Sequence, residues 1–344
     1  MRRICGCLGL VFGLVSGGLA ANQKLPILYV NDSSLRGDVF TSAQGSDRNG
    51  DGSSAKPFAT LGRAVSVAVP GSIIRIDAGD YVVPKPVNLP SRISVQGSPK
   101  AVPKLRGEGD VVLRAEKQSG ISLQFLHVAG GAAGVEWVGV TNSKMEGVTV
   151  GQSKRYGILL RDCQKVEMVA CRTEESRFRG LQMDRCRGVV VKNHLAQRNK
   201  EGGIVLRNSH GNVVQKSRAD RNAMSGFFLS NGSSKNRLTD NTAEGNQLAG
   251  FYLLGKSNAN NLTRNRSREN DRGFTCKGSS DNTFTGNLAE KNRTYGFVFK
   301  DGSPGNILSR NRSLSNPGGD LVASLDSPIR VRLGNHPGAV ARLD

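Results

Sequence analysis

The chain has 344 residues, of which 37% are hydrophobic, 22% charged and 5% aromatic. That is enough apolar matter for a packed core, which excludes wholesale disorder. Forty-three glycines and abundant asparagine argue against long helices. Lys and Arg outnumber Asp and Glu by 48 to 28, a formal charge of +20, which points to an acidic partner and says nothing about fold.

In chain order, Arg2 and Arg3 precede an apolar run from Ile4 to Val15, and the small residues Gly18 and Ala20 follow. This is the pattern of a signal peptide over residues 1–21, cleaved near Ala20 or Ala21. No later run is apolar for long enough to cross a bilayer as a helix. The expected location is therefore secreted, periplasmic or at the cell surface, with an extracellular polymer rather than nucleic acid as partner. A monomer is expected.

Residues 22–72 read as an N-terminal loop and a capping helix. Asp47, Asn49 and Asp51 alternate as in the first half of a calcium-binding loop, and define a candidate calcium site. Phe58 stands where such a loop carries its closing glutamate, so the full motif fails. Thr60 is a helix N-cap, Pro70-Gly71 ends the helix, and Ile73 to Ile76 starts a strand.

Self-comparison then dominates. Glycines recur at 134, 157, 180, 203, 226, 250, 273, 296 and 319, at intervals of 23 with a single interval of 24. Each opens a short apolar run, and two further apolar spots follow per unit. Three short strands per repeat fit one coil of a parallel β-helix. Asparagines fall into three columns: 212, 236, 260, 282 and 306; 241, 265, 287 and 311; and 199, 222, 246, 270, 292 and 316. At a coil spacing of about 4.8 Å, one Asn amide reaches the carbonyl of the next. Asn also suits left-handed corners. His194 falls near the second column and reads as a ladder substitute. The other histidines, His127, His210 and His336, show no metal spacing.

These repeats resemble those of right-handed parallel β-helix proteins of the pectate-lyase-like superfamily. The run from Asp51 through Pro57-Phe58-Ala59-Thr60-Leu61 to Gly79-Asp80-Tyr81 is similar to the N-terminal segment of secreted members, including polysaccharide lyases. The resemblance implies an all-β, right-handed parallel β-helix over 73–323 with an N-terminal capping helix and a C-terminal tail over 324–344. It also implies action on a polysaccharide, by lyase or epimerase chemistry, or non-catalytic binding.

Alternation places the second residue after each repeat glycine outside. That column reads Glu136, Leu159, Gln182, Val205, Phe228, Tyr252, Thr275 and Val298, and its aromatic pair suits stacking on sugar rings. The fourth position reads Arg161, Asp184, Arg207, Ser230, Leu254, Lys277 and Lys300, a mainly basic column whose mutual repulsion an anionic polymer would relieve. Arg161, Gln182, Asp184, Arg207, Phe228, Tyr252, Lys277 and Lys300 are thus the expected substrate-binding residues. Arg179, Arg207 and Lys277 are the candidate catalytic cations, able to neutralise a uronate carboxylate or take its C5 proton without metal. Cys163 and Cys186 occupy the same repeat position on adjacent coils, within reach of a disulfide. The alternative to an enzyme is a carbohydrate-binding or envelope structural protein.

Overall fold

A computed structural model describes residues 26–332, Gly334 and the backbone of 340–343. The signal-peptide reading of 1–21 lies outside the described residues. The chain winds through three parallel sheets. Sheet I contains the strands from Ile27–Val30 to Arg330–Val331, sheet II those from Asp80–Val83 to Arg312–Leu314, and sheet III those from Val87–Asn88 to Val340–Leu343. One turn runs Val213–Gln215 in sheet I, Arg218–Asp220 in sheet II and Phe227–Ser230 in sheet III. Equivalent residues pair in register with the next turn, as in Val214 with Leu238, Ala219 with Ala243 and Phe227 with Phe251.

The helix forms as expected, over Leu61–Val67, with Thr60 Oγ1 accepting from the Arg63 N–H. It buries Leu61 and Ala64 over the first turn of the rod. Ile73–Ile76 is a strand and pairs with Ile27–Val30, so winding begins before the helix. It also continues past Ala323, because Arg330–Val331 joins sheet I and Val340–Leu343 joins sheet III.

The repeat glycines have a steric cause. A Cβ at Gly203 would stand 2.7 Å from Asn222 Nδ2 and 2.8 Å from the Gly226 carbonyl. At Gly226 it would meet Ala243 Cβ, Asn246 Nδ2 and the Gly250 carbonyl, all at 2.9 Å. Glycine therefore recurs because each coil passes this close to the ladder of the next.

The ladders are built of charge-neutral hydrogen bonds. Asn246 Oδ1 accepts from both Asn222 N–H and Nδ2, while Asn246 Nδ2 donates to the Ala219 carbonyl (2.8 Å) and to Asn270 Oδ1 (2.9 Å). The same pattern links Asn212 to Asn306 and Asn241 to Asn311. One expectation is corrected. The left-handed corner residues are those just before the ladder asparagines, Asp240 (φ 56°), Arg264 (φ 52°) and Arg310 (φ 55°). The asparagine itself turns inward, where its amide replaces backbone partners lost at the corner.

Inside, Phe227, Phe251, Phe274 and Phe297 stack on successive turns with centroids 4.6, 4.8 and 4.9 Å apart and rings within 7° of parallel. Cys163 and Cys186 are buried and free. The disulfide that their positions would allow does not join them in this structure: each thiol is turned to backbone carbonyls, Cys163 to those of Trp137 and Arg161 (3.3 Å), Cys186 to those of Leu160 and Asp184 (3.5 Å). Burial pushes the neighbouring Cys171 thiol up to about 12, so it is held protonated.

Candidate functional site: the outer face of sheet III

The six-residue strands of sheet III, such as Tyr156–Arg161, Arg179–Asp184 and Arg272–Lys277, present the expected binding residues along one outer face. Register holds: Leu159 pairs with Gln182, Gln182 with Val205, and Val205 with Phe228. Exposure is narrower than alternation alone implies. Leu159, Gln182, Val205, Thr275 and Val298 are all 3% exposed or less, although the three apolar ones lie outside the core cluster. Gln182 is covered by Arg179, which donates Nη1 to Gln182 Oε1 at 2.6 Å. Phe228 and Tyr252 remain half-buried, their rings stacked with centroids 5.4 Å apart. Burial raises the Tyr252 phenol above its ordinary pKa, against the pull of Lys277 and Arg272.

The basic column is not a bare strip of like charge, and the expected repulsion is relieved within the protein. Asp184 pairs in register with Arg161 on one side and Arg207 on the other. Its Oδ2 lies 3.9 Å from Arg161 Nε and 3.4 Å from Arg185 Nη1. Lys277 Nζ meets Asp301 Oδ2 at 3.1 Å, which holds the ammonium above its ordinary pKa. Arg207 and Lys300 form no ion pair among the described residues. They are the cations of this column left for a ligand.

The candidate catalytic cations do not converge. Arg179 is held by Glu201 (3.0 Å) at the opposite end of its strand from Asp184, the register partner of Arg207. Over five residues that is about 16 Å. Lys277 lies three strands along the rod from Arg207, about 14 Å. No two of the three share a strand position on adjacent coils.

An aromatic pair that the sequence analysis does not single out flanks the face. Tyr156 and Phe178 meet edge to face at 5.5 Å, with Arg155 over the Tyr156 ring at 5.2 Å and Arg179 over Phe178 at 4.5 Å. Their spacing of 22 residues was the available signal.

The calcium-like loop spends its carboxylates on its own backbone. Asp47 accepts from the Ala59 and Thr60 N–H groups and the Thr60 hydroxyl, and Asp51 from the Ser53 N–H. Asp47 thus braces the helix start. Among the described residues no group of three or more His, Cys, Asp or Glu is placed to hold a metal. No helix among the described residues is long and apolar enough to cross a membrane.

Comparison with known proteins agrees with this architecture. Residues 133–270 and 253–332 match the family described as right handed beta helix region. No curated protein matches by sequence. Among solved structures, the Dettilon tailspike protein gp208 superposes with a TM-score of 0.64 at 14% identity over 82% of this chain, which spans 63% of that one. The pectate lyase Pel9A gives 0.63 at 14% identity, covering 92% of this chain and 79% of that one. The A-module of the Azotobacter vinelandii mannuronan C-5 epimerase AlgE4 gives 0.57 at 14% identity, covering 82% and 93%. At such identity the likeness is one of fold. The chain belongs to the right-handed β-helix family.

Proposed function

We propose that this protein is exported and binds an acidic polysaccharide along the outer face of sheet III, as a monomer. The observation that carries the reading is the partly exposed Phe228–Tyr252 stack, set on a face otherwise largely closed and beside Arg207, Lys277 and Lys300. Sugar rings stack on the aromatic pair, and uronate carboxylates meet the cations, above all the unpaired Arg207 and Lys300. Solved β-helices that resemble this one include a pectate lyase and a mannuronan epimerase, which supports a polysaccharide partner. Binding is favoured over lyase or epimerase chemistry because Arg179, Arg207 and Lys277 stand apart.

The test is affinity for polygalacturonate, alginate and a neutral glucan at low and high salt. Wild-type protein should bind the two acidic polymers and release them as salt rises. Phe228→Ala/Tyr252→Ala, and separately Arg207→Ala/Lys300→Ala, should each weaken binding at least tenfold. Equal binding by all variants would overturn this face as the site. The same polymers, assayed for unsaturated uronate and for C5 inversion, should come through unchanged; turnover that Arg207→Ala abolishes would replace binding with catalysis.

A further inference from the structure

The outer face of sheet II carries a cavity of about 310 Å3 on the strands Lys104–Gly107, His127–Gly130, Thr149–Gly151 and Arg172–Glu174. Lys104 and Arg106 stand at one end, Glu174 at the other, and His127 at the side. The outward column in register reads Arg106, Ala129, Gly151, Glu174 and Gln197, so the floor falls away between a guanidinium and a carboxylate. Gly151 is not demanded by the backbone. It is outside the left-handed region, and a Cβ there would make ordinary contacts, 3.6 Å to Glu174 Cγ and 4.0 Å to His127 Nε2.

The lining groups divide into Glu174 and Arg106, which the protein holds in place, and His127 and Lys104, which it leaves open. The His127 imidazole is partly buried and hydrogen-bonds to none of the described residues. Burial holds its pKa below the ordinary value, with Glu174 and Asp80 opposing that shift and Lys104 and Arg106 adding to it. At neutral pH it therefore offers one donor and one acceptor nitrogen. Glu174 is fixed by Arg172 Nε (2.8 Å) and Gln197 Nε2 (2.9 Å), which aims its carboxylate. Arg106 is steadied by Asp80 at 2.8 Å, and Lys104 has no carboxylate partner among the described residues. No Phe, Tyr or Trp lines the cavity, which favours neither a nucleobase nor a lipid chain.

We propose that this trough is a second saccharide site, separate from sheet III, which takes one or two residues of an acidic sugar. A carboxylate sits at Lys104 and Arg106, and ring hydroxyls bond to His127 and Glu174. The span of two to three turns, about 10–14 Å, fits a disaccharide.

The test is a titration of the histidine ring resonances by NMR, with His127→Gln giving the assignment. The probes are a digalacturonate, a neutral disaccharide and inorganic phosphate. Digalacturonate should shift the His127 signals saturably and raise the His127 pKa, because it brings a negative charge beside the ring. The neutral sugar and phosphate should each bind at least tenfold more weakly. Gly151→Gln fills the trough and should abolish the shift, provided its thermal midpoint matches wild type. Lys104→Ala, at an exposed position, should weaken binding at least tenfold and keeps the test open if Gly151→Gln misfolds. No saturable shift in wild type, a shift that survives Gly151→Gln, or phosphate binding as tightly as digalacturonate would each overturn the proposal. Phe228→Ala/Tyr252→Ala separates the two sites: if it loses polymer binding while the His127 shift persists, failure at one face is not failure at the other.

Discussion

His194 shows how one residue can carry a measurable consequence of coil stacking. It occupies the second ladder column, its N–H donating to Ser217 Oγ as Ser217 N–H does to Asn241. Its Nε2 lies 3.0 Å from Thr173 Oγ1, and the ring is fully buried. Burial pushes its pKa down to about 3. The folded pKa is depressed below the unfolded value of about 6.5, so the unfolded chain takes up the proton first. The neutral ring costs nothing above about pH 6.5, and stability falls as pH drops from there toward 3, by on the order of 1 kcal/mol per pH unit. His194→Asn restores the ladder residue and should flatten that slope, as read by urea unfolding between pH 7 and 4. A slope unchanged by the substitution would contradict the buried neutral ring. Asn246 is the second case. Removing its side chain strands Asn222 N–H, one of the two N–H bonds of Asn222 Nδ2 and the Ala219 carbonyl, at about 1–3 kcal/mol for each group left unsatisfied. Asn246→Ala should therefore cost about 3 kcal/mol or more by chemical denaturation, whereas Ala at its exposed neighbour Gln247 should cost under about 1 kcal/mol.

Among the elements, the sheet III strands do two jobs, because alternation sends one aromatic column inward and another outward. The inner stack of Phe227, Phe251, Phe274 and Phe297 is closed by edge contacts from Phe284 to Phe274 and Phe297. Phe251→Ala opens a cavity with rings above and below and should cost about 3–5 kcal/mol. Tyr252→Ala, one residue on and facing out, should cost far less stability and show itself in ligand affinity. Comparing the two midpoints checks the inward and outward assignment of the strand. This alternation was legible in the sequence, as were the capping helix and the glycine period. The electrostatics were not, although their signal was present. Arg185 pairs with Asp162 at a separation of 23, Arg264 with Asp240 at 24 and Arg179 with Glu201 at 22. Applied to charges as it was to glycines, the period would have paired these residues, and in the basic column Arg161 with Asp184 and Lys277 with Asp301, leaving Arg207 and Lys300. The sheet II trough was illegible for another reason. Its floor, Ala129 and Gly151, lies in the less regular early coils, and what makes it a cavity is the length of neighbouring side chains rather than any motif.

For the molecule as a whole, the net charge of +20 is spread over a rod instead of being gathered in one cleft. On sheet II Arg and Glu pair across turns, as where Glu244 lies near both Arg218 (3.6 Å) and Arg268 (3.7 Å). Such exposed pairs add little stability. They cancel charge on that side and leave the outer face of sheet III, with Arg207 and Lys300, as a place where a long anion gains contact turn after turn. A polymer lying along the rod would meet equivalent positions about every 4.8 Å. Oligomers should therefore bind more tightly with length until they outrun the face, while a single uronate should bind weakly. The most direct measurement is hydroxyl-radical footprinting of the intact protein with and without an acidic oligosaccharide. The account predicts that Phe228 and Tyr252 become protected while exposed residues elsewhere, such as Leu325 and Val331, react as before. Undiminished oxidation of Phe228 and Tyr252 in the presence of saturating oligosaccharide would contradict it.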